Sequence, residues 1–156
     1  LGSRSILADA RAPDVKERVN RKIKLREPFR PFAPAVLKEE SARWFMPVDG
    51  KDDHTTAFMC SVAPATEEAR RLLPAVVHVD GTARVEVVEP SSSPALYRLL
   101  QAFRAKTGVG VLLNTSFNLK DEPICSSPAE AYSTYERSEL DFLVLEACPT
   151  ERRADG

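Results

Sequence analysis

Hydrophobic positions along this chain change their period several times, and each change marks an element. From 94 to 106, Leu96, Leu99, Leu100 and Phe103 recur at three- and four-residue steps, the spacing of one helix face. Pro94 opens the stretch and Gly108 stands just beyond it, residues suited to a first helical turn and to a helix end. The pattern predicts a helix over 94–106. A continuous apolar run over 109–113 follows and reads as a buried strand. Two β-branched runs, A-V-V-H-V and T-A-R-V-E-V-V, flank Asp80-Gly81, which predicts a hairpin over 76–88 closed by a type I′ turn. On its second strand Ala83, Val85 and Val87 take one face and Thr82, Arg84 and Glu86 the other, so Arg84 is expected on a strand.

Weaker patterns fill in the rest. A short helix is expected over 13–21, extended chain over 23–26 and 32–37, and a short helix over 39–45. Residues 47–56 read as a polar exposed loop and 57–62 as a strand. Residues 128–135 read as a helix, with Ser127 as N-cap and Glu130 completing a capping box. A last strand is expected over 140–145. Strands and helices mix without strict alternation, which predicts an α+β, or mixed-sheet α/β, domain over 1–148. Residues 149–156 are expected to form a flexible tail.

Two polar signals stand out against this pattern. The run V-L-L-N-T-S-F-N ends in Asn114, Thr115, Ser116 and Asn118. Four hydrogen-bonding side chains thus sit where a buried strand emerges, the place where open α/β sheets bind ligands. An ordinary Asx/Ser turn explains the same residues equally well. Far upstream, residues 16–30 carry seven cations and two acids, a local charge of +5 in a chain of net −1. A concentrated positive site on a mildly acidic body suits a small polyanion. Most of these cations fit a solvated helix face. Lys24 and Arg26 alternate with Ile23 and Leu25, which gives them a shared face if the chain is extended. Arg30 lies between Pro28-Phe29 and Pro31-Phe32, where proline stiffens the backbone. Arg84 has a cross-strand pair as its plain alternative.

Composition bounds the function classes. At 156 residues, 43% hydrophobic and 29% charged, the chain has one domain's length and can bury a core. Its apolar runs fall well short of the roughly 20 residues of a membrane helix. With no signal-peptide pattern, a cytoplasmic location is expected. Cys60, Cys125 and Cys148 are widely spaced and are expected reduced. His54 and His78 have no ligand spacing around them, so no metal site is expected. There is no G-x-S-x-G elbow, no dinucleotide fingerprint at Gly108-Val109-Gly110 and no Walker motif. If the chain binds ATP, it uses another scaffold.

Four ordered motifs carry a resemblance: G-S-R-S-I-L-A-D-A-R, I-K-L-R-E-P-F-R-P-F-A-P-A-V-L, H-V-D-G-T-A-R-V and V-L-L-N-T-S-F-N. Together, over 2–145, they resemble the C-terminal region of NodU/CmcH-type O-carbamoyltransferases. The resemblance implies a YrdC-like twisted mixed sheet with flanking helices. It implies a domain that takes carbamoyl phosphate and ATP, with Mg²⁺, and forms carbamoyl adenylate. A preceding actin-like domain, with histidine-bound iron, would then pass the carbamoyl group to a hydroxyl. Because the chain starts inside the first motif, it is expected to be a C-terminal piece that partners that domain. YrdC-like domains use a K-x-R and an S-x-N pair, matched by Lys24-x-Arg26 and Ser116-x-Asn118. Arg30 and Arg84 fall in motifs that supply further anion contacts, and Asn114 joins the binding set. Lys24, Arg30, Arg84 and Ser116 are the expected catalytic group. Gly110 stands where the family usually has Pro, and Asp121 where it usually has Gly.

The residues suit that chemistry in their own right. Adenylation needs charge stabilisation along a triphosphate more than it needs an acid or base. Arginine grips phosphate bidentately and lysine supplies a point charge. Two rival classes stay open, an RNA- or nucleotide-binding module and a non-catalytic regulatory domain. Phe29 is the sole aromatic of the basic segment, which speaks against a base-stacking platform and so against nucleic acid.

Overall fold

A computed structural model describes residues 3–24, 32–47, 59–145 and 148–151. The chain runs β1 (Ser5–Asp9), α1 (Val15–Val19), a π-helical turn (Asn20–Lys24), β2 (Ala33–Leu37), a 3₁₀ turn (Lys38–Glu40) and α2 (Ser41–Trp44). It continues through β3 (Ala63–Pro64), α3 (Glu67–Leu72), β4 (Thr82–Ala83), β5 (Glu86–Val88) and α4 (Pro94–Thr107). It ends with β6 (Val111–Ser116), α5 (Pro128–Glu136), β7 (Phe142–Leu145) and β8 (Cys148–Glu151). The fold is α+β, as the mixed patterning predicts.

A four-stranded mixed sheet in the order β1-β6-β2-β5 organises the molecule. Strand β6 lies antiparallel to both β1 and β2, and β2 runs parallel to β5. Alternation along β6 divides its apolar residues between two cores. Leu112 packs with Ala35, Leu37 and Val88 against Leu96 and Leu100 of α4. Val111 and Leu113 face the larger core with Ile6, Val36, Trp44 and Val19. A strand buried on both faces reads as an unbroken apolar run, which is why V-L-L shows no alternation. Gly108 ends α4 in the left-handed conformation, φ +77°.

The helices over 94–106, 128–135 and 39–45, and the strands over 109–113, 32–37 and 140–145, are found close to where the pattern placed them. Ser127 caps α5 by accepting from the Glu130 amide at 3.2 Å. The Glu130 carboxylate reaches one residue further back than a capping box requires. It accepts from the Ser126 amide at 2.7 Å.

Several expectations need correction. The hairpin over 76–88 does not form: residues 76–79 hold no strand, β4 pairs with β3, and β5 pairs with β2. The Asp80-Gly81 turn exists, but Gly81 alone of the two has positive φ, +81°. The His78 amide donates to the Thr82 carbonyl and the Gly81 amide to the His78 carbonyl. That is a type I turn followed by a left-handed residue, the three-residue loop and not type I′. Consequently Arg84 is not on a strand. It sits with Val85 in the break between β4 and β5, and there the alternation slips, so that Val85 and Glu86 are both buried. Residues 23–24 are π-helical, not extended, because α1 winds on through Asn20–Lys24. No strand covers 59–62; the strand here begins at Ala63. Strand β8 spans Cys148–Glu151, across the expected 148/149 boundary. Most of the loop over 47–56 lies outside the described residues, as do residues 57–58.

Candidate functional site

Two of the sequence-matched pairs meet in part. Lys24 ends the π-helical turn, and Ser116 ends β6 with Asn118 just beyond it. Lys24 is 6% exposed, and its ammonium lies among four oxygens. It donates to the Ser116 carbonyl at 2.5 Å and the Asn118 Oδ1 at 2.7 Å. The Asn118 carbonyl is at 3.0 Å and the Ser116 hydroxyl at 3.2 Å. The π-helical winding lets this happen: extended chain would carry Lys24 onward, whereas the turn packs Ile23 into the core and leaves Lys24 at its end. A buried ammonium is tolerated only when hydrogen bonds replace its water, and residues 92 and 94 positions away supply them.

The S-F-N turn is itself tied down. The Ser116 hydroxyl donates to Asn118 Oδ1 at 2.6 Å, and Asn118 Nδ2 donates to the Glu122 carbonyl at 2.7 Å. The buried Phe117 anchors it, its amide donating to the Arg4 carbonyl and its carbonyl accepting from the Cys125 amide. Asp121, where the resemblance implies Gly, has φ +60°. That left-handed conformation suits Gly best and Asp or Asn tolerably. Gly110 also has a local reason. A Cβ there would stand 2.5 Å from Glu40 Oε2 and 2.7 Å from Leu37 Cδ1. Its amide, which proline would lack, donates to the buried Glu40 carboxylate at 2.8 Å.

Asn114 lies two residues back on β6, on the same face as Ser116. It is 4% exposed, and its Nδ2 donates to Glu86 Oε2 at 2.5 Å. These residues belong to strands that are not neighbours. Asn114 is opposite Ala33 and Glu86 opposite Ala35, so two alanines on β2 leave room for the polar bridge above them. Glu86 is 3% exposed; burial pushes its carboxyl above the ordinary glutamate range, with the Asn114 hydrogen bond opposing. Sequence reasoning put Glu86 on the outer face with Arg84 and missed it. The signal was V-E-V-V, an acid inside a β-branched run, where an unpaired charge is costly.

Arg84 is exposed. Its charge reaches His78, whose pKa is lowered mainly by burial, with Asp80 opposing and Arg84 and Lys16 adding to the fall. His78 Nδ1 meets the Thr82 hydroxyl at 3.1 Å, and that hydroxyl donates to Asp80 at 2.7 Å. No described contact joins Arg84 to the Lys24 cluster. Arg26 and Arg30 lie outside the described residues. The structure thus brings Lys24, Ser116 and Asn118 together, sets Asn114 beside them, and places Arg84 in a separate cationic neighbourhood with Lys16.

The carbamoyltransferase C-terminus family matches residues 1–152. The chain belongs to that family. It is 47% identical over 145 residues to the nodulation protein NolNO of Sinorhizobium fredii, covering 93% of this chain and 21% of that protein. It is 42% identical to the nodulation protein NolO of Bradyrhizobium diazoefficiens, over 93% of this chain and 26% of that protein. To the 3'-hydroxymethylcephem-O-carbamoyltransferase of Amycolatopsis lactamdurans it is 40% identical, over 78% of this chain and 22% of the enzyme. The chain therefore spans a fifth to a quarter of the length of these relatives, and it corresponds to their C-terminal part. Among the described residues no helix is long and apolar enough to cross a membrane.

Proposed function

We propose that this domain is the activating part of an O-carbamoyltransferase. In this reading it binds carbamoyl phosphate and ATP at the C-terminal end of β6 and forms carbamoyl adenylate. A region corresponding to the rest of its relatives then delivers the carbamoyl group to a hydroxyl. Water cleaves carbamoyl phosphate to carbamate and inorganic phosphate. A carbamate oxygen attacks the α-phosphorus of ATP, the bond to the β-phosphate oxygen breaks, and pyrophosphate leaves. The observation that carries the reading is the meeting of Lys24 with Ser116 and Asn118 across more than ninety residues. A buried cation and a fixed polar turn sit where a strand ends, and the cation belongs to a sequence segment of local charge +5.

The roles follow from side-chain chemistry. Lys24 supplies fixed positive charge and holds the S-F-N turn in shape. Ser116 and Asn118 give hydrogen-bonding groups of the size a carbamoyl needs. Arg84, exposed and cationic, suits a phosphate, and Arg26 and Arg30 complete the proposed anion set. Among the described residues no three of His, Cys, Asp and Glu converge as a metal cage, so Mg²⁺ is proposed to ride on the triphosphate oxygens. The test is calorimetric titration of the folded chain with ATP and, separately, with carbamoyl phosphate. Saturable heat that weakens as salt rises is expected; no heat for either ligand sinks the reading. This chain alone, given acceptor, both ligands and iron, is expected to yield no carbamoylated product by mass spectrometry.

A further inference from the structure

Asn114 is the one residue of the proposed binding set whose amide is claimed by a carboxylate. Glu86 Oε2 accepts from Asn114 Nδ2 at 2.5 Å. The structure sets the nitrogen end of the amide against that oxygen, so Asn114 is the donor in this pair. The nitrogen end of Asn114 is thereby turned toward β5, and Oδ1 is the amide's remaining polar atom. The bridge crosses β2 above Ala33 and Ala35, and both partners are almost fully buried, so rotation of the amide has little room. An anion such as phosphate needs donors. A fixed amide oxygen is instead an acceptor, and it suits an N–H.

Resting on the function proposed above, we infer that Glu86 is a positioning residue that makes Asn114 an acceptor for the NH₂ of the carbamoyl group. Asn114 lies two residues from Ser116 on one face of β6, about 7 Å along the strand. The pair then discriminates the substrate by its amide end, while the cations hold its phosphate end. A site built around a hydrogen bond rejects an analogue that lacks it, because its own buried polar atom is left unpaired. Acetyl phosphate is that analogue: it keeps the phosphate and the carbonyl and carries a methyl in place of the NH₂.

The experiment measures three affinities on the folded chain: carbamoyl phosphate, acetyl phosphate and inorganic phosphate. Wild type is expected to prefer carbamoyl over acetyl phosphate by about tenfold. Glu86→Met is expected to bring that preference to within about twofold while leaving inorganic phosphate unchanged, which loss of fold would not do. If Glu86→Met does not fold, Glu86→Gln, whose amide can give or accept a hydrogen bond and so no longer selects one end of Asn114, is read in its place with the same expected outcome. A folded variant that keeps the full preference overturns the inference. Equal binding of the two acyl phosphates by wild type also overturns it and leaves the proposed function standing. Wild type that binds none of the three phosphates overturns both. In the unliganded protein, selective ¹⁵N labelling of Asn114 gives a further reading: a side-chain amide resonance that does not move on Glu86→Met counts against the bridge.

Discussion

Lys24 and Arg43 are both cations held by several oxygens, yet the molecule uses them differently. Lys24 is 6% exposed, and four oxygens around it come from Ser116 and Asn118, where β6 ends. The Arg43 side chain is 43% exposed. It pairs with Glu68 at 2.6 Å, reaches Glu40 at 3.6 Å and lies over the Trp44 ring at 4.2 Å. Arg43 keeps water as an alternative partner, so its pairing is screened and nearly balanced by the water it displaces. Lys24 has given up that alternative, and the oxygens around it are equally committed. The lesson is that burial, more than the number of contacts, makes a charge determine the shape of its surroundings.

The sharpest way to break this comparison is Lys24→Met. It leaves Ser116 and Asn118 oxygens without their donor and is expected to cost about 3 kcal/mol. In a protein of this size that is a fall in Tm of roughly 6–12 °C, read by thermal melt. A variant that melts with wild type shows that the clamp carries little. Next comes Arg84→Ala. Exposed and outside any described ion pair, Arg84 is expected to leave the melt unchanged and to weaken carbamoyl phosphate or ATP binding by about 10- to 150-fold. Arg84→Lys should also bind less well, because a fork becomes a point charge. Binding equal to that of Arg18→Ala, on the exposed side of α1, removes Arg84 from the site.

Glu86→Gln tests burial without a binding assay. Burial raises the folded carboxyl's pKa above the ordinary glutamate value, so the folded state holds the proton more tightly than the unfolded chain. That contribution to stability is full below the ordinary glutamate range and is lost as pH rises through the raised pKa. The neutral Gln variant is therefore expected to gain on wild type from about pH 4 upward, followed by urea unfolding at several pH values. A stability difference that stays flat with pH contradicts it. The smallest effect is expected from Arg43→Ala, whose Tm shift should be several-fold below that of Lys24→Met and should shrink further in high salt. A shift as large as that of Lys24→Met erases the distinction between the two cations.

Local signals were legible where one residue type has one physical use. The period of Leu96, Leu99, Leu100 and Phe103 placed α4, Gly108 ended it, and V-L-L marked a strand buried on both faces. Motif resemblance named Lys24, Ser116 and Asn118 as a set, and three of the seven proposed binding residues do meet. What misled was Asp80-Gly81 between two β-branched runs. The second run divides between two other partners, β4 with β3 and β5 with β2, and the first run forms no strand, because those partners offer buried surface that a lone hairpin lacks. The same choice moved Arg84 into a break and Glu86 into the interior.

The sequence by itself determined the longer helices, the central strand, the family and the identity of the polar residues, because propensity, period and motif are local properties. Only the tertiary structure decided which of those residues meet. The π-helical turn at Asn20–Lys24, the crossing of β2 by the Asn114–Glu86 bridge and the left-handed Asp121 all depend on packing between segments far apart in the chain. A buried polar atom must find its partner wherever the fold supplies one, and that partner's position is not written in its neighbours.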